Sequence, residues 1–462
     1  MQFVAAGKTA RGRIRVFERL KYQGIWWVPN DPQSNLSGNL SYQPGDSLQL
    51  EVQGSFGDGT VPVILGVTST GRAVTLFRCP LVWSQTSLPG TTSARYIATW
   101  ALVGRHYAGE GEAVFRRIDG EFEHLSAWVR VSGVRAAPTD GGSTFGSFAY
   151  EQPAAIEARV RLPKHGHEAV VALQWLPTVS RDTHRASVEE KVAAVLTLET
   201  TDVRFRDLME SLYDVVLLTA MGAGTGLSPL SLTLHTQESL TDPIHHHEVE
   251  LYFAPTGNAR EHSYADEFLP FDVVLSDFGS LVPRWMELTE RLRHSLVFYK
   301  AVLNRQVPGP DLGCLTMTFA LEGLHRSVCK PLVVAKSEHR RKVKEVVDLL
   351  PQHHKMWVRE RLSGANVKSL GQSLGELGTR APEVANALGW TQEFVRRVVN
   401  TRNSHSHALT PNAAREVLRG SQLIGAVARL RLMFEAQLLL ELGFEQSRVL
   451  ELVGRARSGR FV

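Results

Sequence analysis

The residues with the clearest chemical potential lie near position 400, where a helical pattern ends in a polar cluster. The segment 398–407 reads VVNTRNSHSH and places Arg402 five positions before His407. A guanidinium can stabilise charge on a phosphate, and an imidazole can transfer protons near neutral pH. Together they could cleave RNA without a metal. A base removes the 2′-OH proton, the oxygen attacks the adjacent phosphorus, and the cation stabilises the developing charge.

This spacing also occurs by chance, because the chain contains 17 histidines. In the first half of the chain an arginine precedes a histidine by six or seven positions at 117–124, 159–165 and 161–167. The pair near 400 differs in having Asn403 directly after the arginine and in following a helical segment. The alternative to a catalytic role is a polar helix terminus, in which His405 and His407 are solvated or cap the helix.

The polar cluster resembles the R-N-x-x-x-H signature of HEPN ribonucleases, with Arg402, Asn403 and His407 at its defined positions. The string ALEGLHR at 320–326 resembles the first-helix motif of the ApeA-like branch of that superfamily. A second match lies in the N-terminal half, which is similar to the β-rich ApeA N-terminal domain. It rests on the strings GIWWVP (24–29), LSGNL (36–40), ILG (64–66) and VTL (74–76). Together the two resemblances cover most of the chain, in the family's domain order.

The resemblance implies a bacterial anti-phage protein of the abortive-infection type. Its HEPN domain would cleave cellular RNA such as tRNA without a metal or other cofactor, with Arg402 and His407 catalytic and Asn403 orienting them. Family members pair two HEPN domains around one cleft, which implies a homodimer or a higher oligomer. The N-terminal domain would sense a phage protein as its trigger. The residues between Asn403 and His407 are often bulky in the family but are small or polar here, so His405 could share the role of His407.

The first-helix motif supplies further candidates. Glu322, His325 and Arg326 share one helix face, and a buried Glu–Arg or Glu–His pair there would orient the cleft; the alternative is an ion pair within the helix. Residues 330–361 are locally basic and could follow an RNA backbone, although a solvated helix face explains the pattern equally well. Trp357 and Trp390 could stack on bases, but aromatic residues are more often buried. The basic candidates are Arg340, Arg341, Lys342, Lys344 and Lys355.

The sequence predicts no metal site. Cys79, Cys314 and Cys329 are too few and too scattered for a disulfide framework or a structural zinc site. Residues 245–247 are three consecutive histidines. Because adjacent residues of a strand point to opposite faces, this run is better interpreted as a strand edge than as a metal site.

Composition limits the class of protein. A chain of 462 residues, 43% hydrophobic and 21% charged, is long enough for two or three domains and is neither disordered nor fibrous. Its formal charge of +4 permits a nucleic-acid partner without requiring one. No apolar run is long enough for a transmembrane helix, and the N-terminus lacks a signal-peptide core. We therefore expect a cytoplasmic protein without a membrane partner.

The elements that must position the candidate residues divide the chain in two. Residues 1–255 contain short alternating segments, separated by Gly- and Pro-rich breaks, that predict a β-rich sandwich or barrel-like domain with one helix at 203–221. Residues 256–280 are predicted to be a linker. Residues 281–462 carry apolar residues at spacings of three and four, which predicts an all-α HEPN bundle. The predicted fold class is α+β. The predicted strands include 48–54, 61–67, 72–77, 94–104, 124–133, 154–162, 169–176 and 246–253.

Two other functions fit the same residues. One is a non-catalytic RNA- or nucleotide-binding HEPN protein, in which Arg402 contacts a phosphate and nothing is cleaved. The other is a scaffold in which the helical half only dimerises.

Overall fold

The computed structural model describes residues 20–42, 47–87, 90–138, 145–181, 186–242, 248–254, 267–405 and 416–460. Contacts divide the chain into two compact units. The first comprises residues 1–262 and Pro270–Met286, and the second comprises residues 263–269 and Glu287–Val462. The first unit is rich in β structure and the second is helical, which confirms the predicted α+β class.

The first unit begins with a closed barrel of six antiparallel strands. Each strand pairs with two others in the ring β1–β2–β3–β6–β5–β4 and back to β1. Closure satisfies the backbone groups that an open edge would leave unpaired. Along the strands, buried apolar residues alternate with exposed residues, and the buried ones fill the interior. The strands are β1 (Leu20–Val28), β2 (Asp31–Tyr42), β3 (Leu48–Gln53), β4 (Thr60–Thr68), β5 (Ala73–Ser87) and β6 (Thr91–Ala98).

A glycine makes room for the largest side chain of the barrel interior. Trp26 on β1 is fully buried and pairs across the strands with Gly66 on β4. A Cβ at position 66 would overlap the indole ring. The GIWWVP and ILG strings therefore supply the two halves of one packing contact.

The sheet extends beyond the barrel through β5. The order continues from β5 through β7, β17, β16, β9, β14 and β13 to β12, and all these pairings are antiparallel. Two short pairs, β8 with β15 and β10 with β11, complete the β structure of the described residues. The strands are β7 (Trp100–Val103), β8 (Val114–Phe115), β9 (Arg117–Phe122), β10 (Val134–Pro138), β11 (Phe145–Tyr150), β12 (Ile156–Arg161), β13 (Glu168–Arg181), β14 (Ala186–Leu198), β15 (Val203–Arg204), β16 (Pro229–His235) and β17 (Val249–Tyr252).

Three helices belong to this part of the chain, α1 (Leu125–Val129), α2 (Phe205–Ala223) and α3 (Gln237–Thr241). The predicted helix at 203–221 is confirmed as α2, which packs on β9 and β14. The predicted strand at 124–133 is wrong, because α1 occupies its centre. Its buried residues Leu125, Trp128 and Val129 follow helical spacing. The other predicted strands are confirmed where the structure describes them. The segment 94–104 is split between β6 and β7, and the segment 246–253, whose first two residues lie outside the described residues, contains β17.

The remaining helices follow from residue 271. The predicted linker 256–280 lies outside the described residues as far as residue 266, and from Phe271 onwards its residues are largely helical. The helices are α4 (Phe271–Leu275), α5 (Phe278–Arg291), α6 (Arg293–Leu303), α7 (Gly309–Val328), α8 (Lys336–Asp348), α9 (Gln352–Ser363), α10 (Leu370–Arg380), α11 (Pro382–Leu388), α12 (Gln392–Ser404), α13 (Ser421–Glu441) and α14 (Gln446–Arg460).

Helices α6, α7 and α13 form the centre of the helical unit. Tyr299 stacks on Phe434 with ring centroids 4.9 Å apart, and its hydroxyl donates to Glu435 at 2.8 Å. Glu435 is fully buried and also forms an ion pair with Arg431 at 2.7 Å. These contacts hold α6 against α13, and α7 packs against both helices.

Candidate active site

The candidate catalytic arginine lies at the C-terminal end of α12. The helix starts at a Thr391 cap, whose hydroxyl accepts a hydrogen bond from the Phe394 N–H at 3.1 Å. Buried apolar residues hold one face of the helix in the unit, and Thr401 is fully buried near its end. Arg402 and Asn403 follow in the last turn and are partly exposed, as a substrate-contacting group must be.

Two contacts join the end of α12 to the chain that precedes α13. The Thr401 hydroxyl accepts a hydrogen bond from the Leu418 N–H at 2.9 Å. Asn400 donates to Glu416 at 2.9 Å, and Arg396 forms an ion pair with the same carboxylate at 3.0 Å. Residues 406–415, which include His407, lie outside the described residues. The chain therefore leaves α12 and returns to it at the same place.

One donor of Arg402 has no acceptor among the residues that the structure describes. Its Nη1 donates to Asn403 Oδ1 at 3.2 Å, and its guanidinium carbon lies 5.9 Å from the centre of the Phe319 ring on α7. The Nε–H is buried, and no group of the described residues accepts a hydrogen bond from it. A buried charged donor without a partner is costly, and an anion is the partner that would satisfy it best.

His405 lies one residue beyond α12 and is directed toward the start of α7. Its Nε2 is 3.8 Å from Asp311 Oδ1, a distance at which the two groups attract when the imidazole is protonated. The position of His405 relative to His407 is not described, so a shared role for the two histidines stays a prediction.

The three first-helix candidates have different partners. Glu322 and Arg326 form an ion pair at 2.6 Å within α7, and the Arg326 side chain is largely exposed. His325 is fully buried, and its Nε2 lies 2.7 Å from Glu376 on α10. The pairing of Glu322 is thus the intrahelical one, and His325 connects α7 to α10 instead. An auxiliary catalytic role for the three residues stays a prediction.

Sequence reasoning missed the cluster around Glu376. Lys368 lies 2.5 Å from this carboxylate, and the hydrogen bonds from Lys368 and His325 lower the pKa of Glu376. Cys329 lies close enough for the His, Cys and Glu side chains to reach one ion. Burial raises the pKa of this thiol, and Arg380 hydrogen-bonds it. Two flanking cations already balance the cluster, which favours a structural ion-pair network over a cation site. The helical spacing of four between His325 and Cys329 was the available signal.

The remaining candidates are placed as follows. The predicted basic stretch lies on α8 and α9, where four of the five candidate cations are exposed and Lys355 is partly buried. Trp390 is buried and donates to the Leu374 carbonyl at 3.0 Å, so it is a core residue, whereas Trp357 is exposed. The three histidines at 245–247 lie outside the described residues. None of the helices among the described residues is long and apolar enough to span a membrane.

Comparison with models of protein families shows which family the chain belongs to. A model of ApeA N-terminal domain 1 matches residues 21–285, and a model of the Apea-like HEPN domain matches residues 315–448. The chain is a member of the ApeA-like HEPN family. The first match ends within one residue of the point where the first compact unit ends. The second match begins within α7, includes α8 to α13 and contains every candidate site residue. Neither a curated protein nor a solved structure matches the chain.

Proposed function

We propose that this ApeA-like HEPN protein is a metal-independent endoribonuclease of bacterial anti-phage defence, in which Arg402 and His407 act on the scissile phosphodiester. HEPN domains are generally ribonucleases, which supports the reaction class. The observation that carries the proposal is the Nε–H of Arg402, which has no acceptor among the described residues and lies where the chain leaves for the segment that contains His407. A phosphate oxygen would accept that hydrogen bond.

The proposed chemistry needs only the RNA and the protein. An imidazole accepts the 2′-OH proton, and the oxygen forms a new bond to the adjacent phosphorus. The bond from phosphorus to the 5′-oxygen breaks, and that oxygen takes up a proton. The products are a 2′,3′-cyclic phosphate and a 5′-hydroxyl. Arg402 stabilises the charge that develops on the phosphoryl oxygens, and Asn403, which accepts a hydrogen bond from its Nη1, holds the guanidinium in place.

The proposed active form is a homodimer that brings two Arg/His sets to one cleft. Support comes from exposed apolar side chains on α7, which packs against α12, and on its neighbour α6. Val297 and Phe298 on α6 and Leu312 on α7 are exposed, and the Phe298 ring lies 5.5 Å from Phe319, the residue beneath Arg402. A second copy that covered this patch would bury apolar surface next to the site.

The dimer proposal can be tested at an exposed position. Val297→Glu should convert the dimer to a monomer in sedimentation and abolish cleavage, because it places a charge in the proposed interface. Val179→Glu, at a similarly exposed valine of the first unit, is the matched control and should leave the dimer and the cleavage rate unchanged. A Val297→Glu protein that remains dimeric and active would exclude this face as the interface.

The catalytic assignment is tested with purified protein, activated where necessary, and labelled tRNA or total RNA. Arg402→Ala should lower the cleavage rate about 10²- to 10³-fold, and His407→Ala should lower it about 10²- to 10⁴-fold. Arg455→Ala, an exposed arginine of α14, is the control and should retain full activity. His405→Ala shows whether the two histidines share the role.

The outcomes separate the proposal from its rivals. EDTA should not affect the rate, because the proposed reaction uses no metal. Full activity in both Arg402→Ala and His407→Ala would refute the site. RNA binding without cleavage by the unaltered protein would favour a binding protein, and dimerisation without RNA affinity at low salt would favour a scaffold.

The proposed role of the N-terminal unit is to sense a phage protein. Co-expression with candidate phage proteins would test this role, because the trigger should start RNA cleavage.

A further inference from the structure

Helices α8 and α9 form a hairpin that contributes little to the core of the helical unit. Val347 is the one buried side chain of α8, and α9 buries none. The hairpin is instead held at its base. Asn366 donates to the Val334 carbonyl at 2.9 Å and accepts from its N–H at 3.0 Å, and Leu332 pairs with Val367 as an isolated bridge. A two-helix element with so few buried residues exposes most of its surface for contact with another molecule.

The charge of the hairpin indicates the sign of the charge on its binding partner. Residues 336–363 contain eight Lys and Arg against four Asp and Glu, a net charge of +4. This equals the formal charge of the whole 462-residue chain. Intrahelical ion pairs of Arg341 with Glu345 and of Lys342 with Glu338 use two of the cations. The excess positive charge of the protein is therefore concentrated on one exposed element, which favours an anionic partner.

An exposed aromatic side chain favours an anion that also carries a flat ring. Trp357 on α9 is 59% exposed, and its neighbour Met356 is also exposed. Arg361 is one turn after Trp357 and His353 is one turn before it, so a guanidinium and an imidazole, both able to donate hydrogen bonds to phosphate, flank the indole on the same helix face. Unpaired nucleotides combine a phosphate charge with a base whose flat face can stack on an indole. A base inside a continuous duplex is already stacked and offers no free face.

We propose that the α8–α9 hairpin binds single-stranded RNA, with Trp357 stacked on an unpaired base and Arg361 and the other cations of the hairpin on phosphates. The choice of RNA as the anion rests on the proposed ribonuclease function. The inference adds that the substrate must present an unpaired segment to the hairpin. A second copy of the hairpin is disfavoured by like charge. The hairpin also exposes Val346, Leu349 and Met356, and binding to a membrane surface is therefore one outcome of the test.

The test measures binding without cleavage, in the full-length His407→Ala background. Fluorescence anisotropy with a short unstructured oligoribonucleotide should show Trp357→Ala binding about 5- to 100-fold more weakly, as expected for the loss of one stacked base. Trp357→Phe should restore much of the affinity. Trp83→Ala, an exposed tryptophan of the first unit, is the matched control and should bind normally. Arg361→Gln should lower the salt dependence of log Kd by about 0.7 if it removes one phosphate contact.

The same oligoribonucleotide annealed to its complement is the second ligand. Its binding should be unaffected by Trp357→Ala. The proposal would be overturned if Trp357→Ala lost affinity equally for duplex and single strand, or lost affinity for neither. The absence of any RNA binding would also overturn it. Trp357-dependent binding to anionic vesicles, or Trp357-dependent dimerisation, in place of RNA binding would overturn it in favour of a membrane or a second copy.

This experiment separates the inference from the proposed function. Trp357-dependent binding in a protein that never cleaves RNA would sustain the hairpin site and refute the nuclease. Cleavage that depends on Arg402 and His407, with single-strand binding indifferent to Trp357, would sustain the nuclease and refute the hairpin site.

Discussion

The hydroxyl of Thr401 offers a sharp test of how the candidate site is held together. The side chain is fully buried, and its oxygen accepts the Leu418 N–H at 2.9 Å while donating to the Arg397 carbonyl at 2.7 Å. Thr401→Val keeps the shape of the side chain and removes the hydroxyl. The Leu418 N–H then loses its acceptor in a buried position.

The expected loss of stability in Thr401→Val depends on which buried group loses its hydrogen-bond partner. A buried donor without a partner costs about 1–3 kcal/mol. The Arg397 carbonyl loses a second hydrogen bond but remains within the helix, so its share is small. Thr401→Ser is the matched control, because it keeps both hydrogen bonds and deletes one buried methyl group, at a cost of about 1 kcal/mol.

The assay should be local, because a chain with two compact units need not unfold in one step. Hydrogen exchange of the Leu418 amide should be about 5- to 100-fold faster in Thr401→Val, and urea denaturation should show a lower midpoint for the helical unit. RNA cleavage, measured where the variant is still folded, should fall more in Thr401→Val than in Thr401→Ser. Equal Leu418 exchange in both variants and the unaltered protein would show that this hydrogen bond does not hold the segment.

Three further predictions concern other parts of the molecule. Gly66→Ala should destabilise the barrel by about 1–3 kcal/mol, because its Cβ overlaps a buried indole, and urea denaturation followed by near-ultraviolet circular dichroism measures this. Arg431→Met should cost the helical unit about 3–5 kcal/mol by removing the ion pair of the buried Glu435; a loss below 1 kcal/mol in thermal unfolding would contradict this. The pKa of Glu376 should lie below 4.5 in carboxyl NMR titrations and should rise in Lys368→Met. Because the folded pKa is the lower one, this ion pair stabilises the protein fully above pH 4.5 and loses its effect as the pH falls through the folded value.

The sequence-based prediction failed where one pattern of apolar residues fits both a strand and a helix. The segment 124–133, which includes Leu125, Trp128 and Val129, is predicted from its sequence to be a strand. Their spacing of three and four fits a helix equally well, and burial of all three in α1 decided the outcome. The short helix α4 was not predicted, because five residues are too few for a clear period.

The sequence by itself determined the type of most elements, the α+β class and the family, because alternation, helical spacing and short motifs are local properties. Only the tertiary structure decided which residues meet. The sequence grouped Glu322, His325 and Arg326 on one helix face, but His325 pairs with Glu376, which lies 51 positions away along the chain. Likewise, the polar string at 398–407 does not indicate that Thr401 would bind the chain returning at Leu418. A periodic pattern states which face of an element is buried. It does not state which other element covers that face, and hydrogen bonds between distant segments depend on that choice.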